Sequence, residues 1–288
     1  MNNRKAVFTL LICYLLWGFQ PLYWSLEDGI DSFTILGCRI IMAAAFSCLI
    51  LAASHRLPAL QTVFHDRKTM KILLPATLFL LLDWGVFILA VNTGHVLDTS
   101  LGYYINPLLI FAIGTLLYKE RCDRVQIAAL SVAVIGILVS TVAYDSFPYI
   151  SVIIASNWAV YTALKKNVQL DGVLSIAAET LLLTPFAITF LLVFRHAELA
   201  AMSISKIAFL IGSGVVTALP MYLYNNSINA FPLIVMCFAQ YLSPSFNMLC
   251  GLLLGEHLSS SQRSSLVFFL LAIIVFTVDE VRQYRKAS

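Results

Sequence analysis

Three ionisable side chains, Arg39, Asp83 and Glu179, stand deep inside long uncharged runs of this sequence. A charge held among apolar residues is expensive, so such a group pairs, titrates or meets a polar solute. Arg39 offers a fixed cation, whereas Asp83 and Glu179 are two acids whose burial would favour the protonated form. With all three ionised, one positive and two negative charges would face one another, which leaves room for proton coupling. Around them stand polar and aromatic residues in matching places. These are Trp17, Trp84, Trp158 and Tyr161, the pair Tyr104 and Tyr241, and the amides Asn106, Asn157 and Gln240. Pro107 and Pro244 each remove a helical N–H and free the carbonyl four residues earlier. Two such places in corresponding segments suggest paired hinges or site-forming breaks.

The rest of the chain is nearly all apolar. Of 288 residues, 60% are hydrophobic and 11% charged, with a mean hydropathy of +0.88. A soluble domain carries about 25% charged residues, so a soluble enzyme, a nucleic-acid binder and a disordered chain are excluded. Ten apolar stretches of bilayer-spanning length follow one another: 6–25, 31–53, 71–91, 97–118, 124–142, 148–165, 172–194, 206–225, 231–254 and 263–281. The expected fold is an all-α integral membrane protein of ten transmembrane helices. The first run follows Arg4 and Lys5, is longer than a signal-peptide core, and is expected to be retained. The six cysteines form no metal-ligand or disulfide spacing, and no metal or cofactor is expected.

Basic residues set the orientation. With the N-terminus in the cytoplasm, fourteen of the eighteen Lys and Arg residues fall inside, including Arg56, Lys119, Lys165 and Lys166. Three fall outside (Arg195, Lys206 and Arg263), and Arg39 lies within a span. Both termini are therefore expected in the cytoplasm.

The second half echoes the first. Asp31 and Arg39 open span 2 as Asp171 and Glu179 open span 7, and Trp17 answers Trp158. Tyr104-Ile105-Asn106-Pro107 answers Tyr241-Leu242-Ser243-Pro244. Five spans per half force opposite membrane polarity, giving two inverted five-helix repeats, 1–143 and 144–288. An inverted repeat is the mark of a secondary transporter whose site lies near the midplane between the halves. Arg39 and Glu179 enter from opposite faces, each about 12 Å deep at 1.5 Å per residue. They are expected to form a paired or alternately paired couple. Tyr23 and Trp24, at the end of span 1, read as interfacial belt anchors, and Glu120 and Glu256 as capping or loop-pairing groups. A membrane-embedded enzyme or a passive channel remains an alternative, although HExxH, GxSxG and Walker A motifs are absent.

These stretches carry a family resemblance. Tyr14-x-x-Trp17-Gly18-x-x-Pro21-x-Tyr23, Arg39-Ile40-Ile41 and Ala90-Val91-Asn92 are followed by His95-x-Leu97 and by Ser100-Leu101-Gly102-Tyr103-x-Ile105-Asn106-Pro107. Then come Glu120-Arg121, Glu179-Thr180, Pro185, Val216-Thr217-x-x-Pro220, Gln240-Tyr241-x-x-Pro244 and Gly255-Glu256. In this order the chain resembles the RarD branch of the bacterial EamA-type permeases, in the drug/metabolite transporter superfamily. The resemblance implies two EamA repeats, residence in the bacterial inner membrane, and export of a small metabolite or drug. Cys38 stands where the branch often has His, and Asp83 where it often has Asn, so a relative's substrate does not transfer directly.

Overall fold

The computed structural model describes residues 3–26, 29–142, 149–231, 233–255 and 257, with isolated positions between 267 and 278. Twelve helices are present among these residues, in the order α1 (Asn3–Trp24), α2 (Ser32–Ala53), α3 (Leu57–His65), α4 (Arg67–Asn92), α5 (Val96–Leu116), α6 (Arg124–Val142), α7 (Tyr149–Lys166), α8 (Gly172–Phe194), α9 (His196–Ala200), α10 (Ile204–Ser227), α11 (Leu233–Gln240) and α12 (Leu242–Leu253). Six of them, α1, α2, α4, α5, α8 and α10, are long and apolar enough to cross a membrane. Nine of the ten apolar stretches coincide with helices, the ninth divided between α11 and α12. The tenth, 263–281, lies outside the described residues apart from isolated helical positions, as do Glu256, Arg263 and the basic residues 282–286.

The helices are apolar on every side, as membrane-buried helices are. Phe186, Leu192 and Phe194 of α8 and Ile204 of α10 face outward, while polar residues such as Arg39, Asp83, Asn106 and Glu179 face inward. That inversion of the soluble pattern is what lipid as solvent requires.

The ends of α2 and α8 explain how the bundle is registered. Asp31 caps α2, its carboxylate accepting from the N–H groups of Phe33 and Thr34 at 3.0 and 3.3 Å. Asp171 caps α8 in the same way through Val173 and Leu174. Each capping acid also meets an arginine at or just beyond the C-terminal end of the other helix, Arg195 to Asp31 at 3.1 Å and Arg56 to Asp171 at 3.3 Å. The two helices therefore lie antiparallel with reciprocal ties at both ends.

The 54–70 connection is largely helical. Pro58 sits in the first turn of α3, where its missing N–H has no helical partner to lose. Leu60 and Val63 then bury against Leu51, Leu73 and Val173. Asp66 ends α3 and caps α4, and bonds from the Thr69 hydroxyl and the Lys68 N–H hold its carboxyl below the usual range.

Small residues allow the helices to approach. A Cβ at Gly214 of α10 would lie 2.5 Å from the Met42 carbonyl oxygen of α2, and one at Gly102 of α5 would lie 2.8 Å from that of Ser151 in α7. Backbone cannot yield as a side-chain tip can. Gly214→Val should therefore lower stability by about 1–3 kcal/mol through overpacking, measured as thermal unfolding in detergent. Gly85→Ala, whose added carbon would meet only the tip of Leu36 at 3.3 Å, should be neutral or stabilising, since mid-helix glycine itself is unfavourable.

Candidate functional site

A small pocket lies between α1, α2, α4, α5, α7 and the α11–α12 break. Its aromatic walls are Tyr14, Trp17, Trp84, Phe87, Tyr103 and Trp158, and its polar residues are Gln20, Arg39, Asp83, Gln240, Ser243 and Asn247. Helical spacing brings these together: Trp17 and Gln20 are three residues apart on α1, and Asp83, Trp84 and Phe87 share a face of α4.

Arg39 is 2% exposed. Its Nε donates to Thr217 Oγ1 of α10 at 2.9 Å, and its guanidinium carbon lies 4.3 Å from the Trp84 ring centre and 4.9 Å from that of Trp24. The rings stabilise a poorly hydrated cation through their π faces. Asp83, on α4, is in electrostatic range of Arg39 and beside Tyr103. Among the described residues the ion pairs within 4.0 Å are Arg56–Asp171, Lys165–Glu179 and Arg195–Asp31, so Arg39 and Asp83 do not touch. Arg39 Nη1, Trp158 Nε1 and Asp83 Oδ1 are buried with no protein partner. Two donors and one acceptor on residues around one pocket give a small polar solute something to bind, since unpaired buried groups gain most from a partner.

Proline chemistry builds part of the same wall. Pro21 leaves the Trp17 carbonyl without its helical N–H, and Pro220 does the same to Val216. The Asn247 amide lies 3.2 Å from the Trp17 oxygen and 2.9 Å from that of Gly18, so its NH₂ is the donor. Gln20 Nε2 donates to the Val216 oxygen at 2.8 Å. Thus two pocket amides come from different helices to satisfy carbonyls that proline has released, as lipid burial demands.

Several expected residues lie elsewhere. Glu179 is not paired with Arg39: Lys165 Nζ lies 2.9 Å from its Oε1, and the Tyr161 hydroxyl donates to both oxygens at 3.3 Å. The reason is position. Lys165 sits one turn beyond Tyr161 on α7, and its stem turns inward, leaving it 1% exposed rather than in a solvated loop. Trp24 is likewise no belt anchor. It is fully buried against Arg39, and Tyr23 donates its hydroxyl to the Phe209 carbonyl. Tyr104 and Tyr241 stack at 6.2 Å, and neither they nor the buried Asn157 line the pocket. Asn106 and Gln240 do not serve the proline-freed carbonyls beside them. Gln240 donates to Asn106 at 2.8 Å, and Asn106 donates to Ala155 of α7 at 2.6 Å, which ties α11, α5 and α7 together. Pro107 lies within an unbroken α5, whereas Pro244 follows the α11–α12 break at Tyr241. Glu120 accepts from the Leu233 N–H at 3.0 Å, a loop-pairing role at the start of α11.

Gln20, Phe87, Tyr103 and Asn247 are pocket residues that were not singled out from sequence. Each has a signal in retrospect: a helical turn from Trp17, from Asp83 or from Ser243, or the position four residues before Pro107.

A family model described as the EamA-like transporter family matches residues 4–142. Over the whole chain and 98% of its relative, the sequence is 32% identical to the uncharacterized transporter YojE of Bacillus subtilis. It is 30% identical to the protein RarD of Streptomyces exfoliatus, covering 95% of this chain and 88% of that one. The RarD of Escherichia coli strain K12 is 27% identical over the whole chain and 98% of the relative. A crystal structure aligns with a TM-score of 0.69, covering 97% of this chain and 99% of the other at 15% identity, a likeness of fold alone.

Gln20→Leu and Asn247→Leu keep approximate volume but leave a carbonyl alone. Each should reduce stability by about 1–3 kcal/mol, read as thermal unfolding in detergent, and a fall well under 0.5 kcal/mol would show that water serves those carbonyls instead.

Proposed function

Because the chain belongs to the EamA-like transporter family, in its RarD-type branch, we propose that it is a secondary carrier exporting a small polar or amphipathic metabolite or drug by alternating access. As a membrane transporter of this family it resides, multi-pass, in the bacterial inner membrane and has a small-molecule substrate. In our reading it crosses ten times with both termini cytoplasmic, and residues 1–143 and 144–288 are inverted repeats that rock around the pocket. Arg39, Asp83, Trp17, Trp84, Trp158 and Gln240 contact the solute there. Tyr104, Asn106, Asn157 and Tyr241 form the supporting layer, and Pro107 and Pro244 the hinge positions.

The repeat reading is supported by how the helices pair. Exchanging α1 with α7, α2 with α8, α4 with α10, and α5 with α11–α12 turns the α1–α10 contact into α7–α4 and the α1–α12 contact into α7–α5. It likewise turns α2–α10 into α8–α4, and all of these contacts exist. The reciprocal Arg195–Asp31 and Arg56–Asp171 ties obey the same exchange.

The observation that carries the proposal is the set of unpartnered polar atoms, Arg39 Nη1, Trp158 Nε1 and Asp83 Oδ1, around one aromatic-walled pocket. An anionic group on the solute suits Arg39, a donor or cationic group suits Asp83, and the rings supply apolar walls. The carrier needs no chemistry of its own, only differential binding to two states.

The test is a metabolite-library thermal-shift screen on detergent-purified protein, with hits retested as saturable uptake and counterflow in proteoliposomes. Arg39→Ala should abolish transport while leaving membrane insertion and the unfolding profile intact. Undiminished transport by the folded variant would contradict the pocket's role, and unsaturable flux without counterflow would make the protein a channel. Asp83→Asn should change which hits are carried, with the largest losses, tenfold or more, among cationic or zwitterionic compounds. Uptake at two pH values reads proton coupling directly.

A further inference from the structure

A second buried charge cluster lies outside the pocket. Lys165 of α7 pairs with Glu179 of α8 at 2.9 Å and also donates to Ser175 Oγ, while Tyr161 donates to the Glu179 carboxylate. Glu179 and Lys165 are 0% and 1% exposed. A buried ion pair pays heavily in desolvation, and apolar side chains of similar size would hold two helices at least as well. Its presence calls for another reason.

Position supplies one. A chain of packed rings links the pair to the pocket. Trp158, which lines the pocket, lies 5.1 Å from Tyr161, and Trp17, Trp158 and Tyr224 continue the chain with centroids 5.1–5.2 Å apart. On the far side, the end of α7 is bolted down. Lys166 donates to the carbonyls of Ile228 and Phe231, and the Tyr118 hydroxyl to that of Ala163 at 2.7 Å.

The repeat correspondence gives the same answer from the sequence. Glu179 stands 140 residues after Arg39, and Lys165 stands 141 after Trp24, as Trp158 does after Trp17. The Arg39–Trp24 contact in one half thus occupies the place of the Glu179–Lys165 contact in the other. In the structure, Arg39, from the first half, lines the pocket, and the corresponding Lys165–Glu179 pair of the second half lies outside it.

We infer that the Lys165–Glu179 pair is the closed gate at the Lys166 end of the solute path, and that on parting it becomes a second solute-contact station presenting an ammonium and a carboxylate. A solute bearing both an acidic and a basic group would then find partners of both signs at each station in turn. This rests on the carrier reading above. The rings of Trp17, Trp158 and Tyr224 form the partition that must shift between the two stations.

The test is thiol labelling of full-length protein in nanodiscs, in a background whose six native cysteines are replaced by alanine. The reporter is Thr162→Cys, one turn from Lys165 and 1% exposed, and a control reporter is Ser100→Cys, fully buried on α5 beside the start of α7, about 21 Å along that helix from Lys165. The probes are a trimethylammonium methanethiosulfonate and its sulfonate counterpart. Lys165→Gln and Glu179→Gln should each raise labelling at position 162 at least tenfold, with position 100 unchanged. The Lys165→Gln variant, keeping the carboxylate, should prefer the cationic reagent, and Glu179→Gln the anionic one. The exchanged pair, Lys165→Glu with Glu179→Lys, should restore protection.

Unchanged labelling at position 162 in folded single variants would overturn the gate. So would equal opening of position 100, which marks general loosening, or a lack of charge preference, which denies the station. The carrier reading fails separately: normal transport by Arg39→Ala would remove it even if the gate opened as described.

Discussion

The structure is organised around keeping one guanidinium inside an apolar bundle. Arg39 carries the planar guanidinium, whose several donors and π-stacking faces call for partners from several sides. The bundle stabilises it with two indole faces and one hydroxyl, drawn from α1, α4 and α10. Those helices must converge on α2 for Arg39 to be tolerated, and where they converge they leave the pocket. Glycine at position 214 permits the α2–α10 approach that brings Thr217 into reach. The arrangement stops short of neutralising Arg39: Nη1 is left over, and the nearby Asp83 is not in contact with it. A fully matched pair would be a static clamp. An incompletely matched one keeps binding energy for a solute.

The same logic governs the backbone. Membrane burial leaves no bulk water for a carbonyl that proline has released, so a donor must come from another helix. Gln20 reaches from α1 to α10, and Asn247 from α12 to α1. Each bond joins elements of different halves and each belongs to a pocket residue. The features that line the cavity are thus also those that join the halves, and a shift of one half against the other must exchange these bonds. The Asn106–Gln240 bond, with Asn106 also held by Ala155, is a third such tie.

Much of the fold could be read from the sequence because its signals are local. Nine of the ten apolar runs match helices within a few residues of their observed ends, the ninth as two helices, and Asp31 and Asp171 stand at helix starts as expected. Six of the twelve expected solute-path residues line the pocket: Trp17, Arg39, Asp83, Trp84, Trp158 and Gln240. What failed was the direction in which side chains near helix ends point. Trp24 and Lys165 both stand at the last turn of an apolar run, where hydropathy cannot distinguish a lipid headgroup from the bundle interior. Both turn inward, and Lys165 thereby takes Glu179 from the partner expected for it. Pro107 and Pro244 looked equivalent because each releases a carbonyl, yet only the helix containing Pro244 divides, at Tyr241. Whether a helix absorbs a proline or breaks depends on its neighbours, which sequence spacing does not contain.

The central claim is that water reaches the charged interior of this apolar bundle between its halves. Cysteine labelling in a membrane tests it most directly, comparing Phe87→Cys in the pocket wall with Phe186→Cys on the outer face, where the native side chain is 75% exposed. A charged, membrane-impermeant thiol reagent should modify position 87 and spare position 186, which lies in the acyl chains. Modification at 186 with none at 87 would place the polar face of the bundle elsewhere and contradict the account.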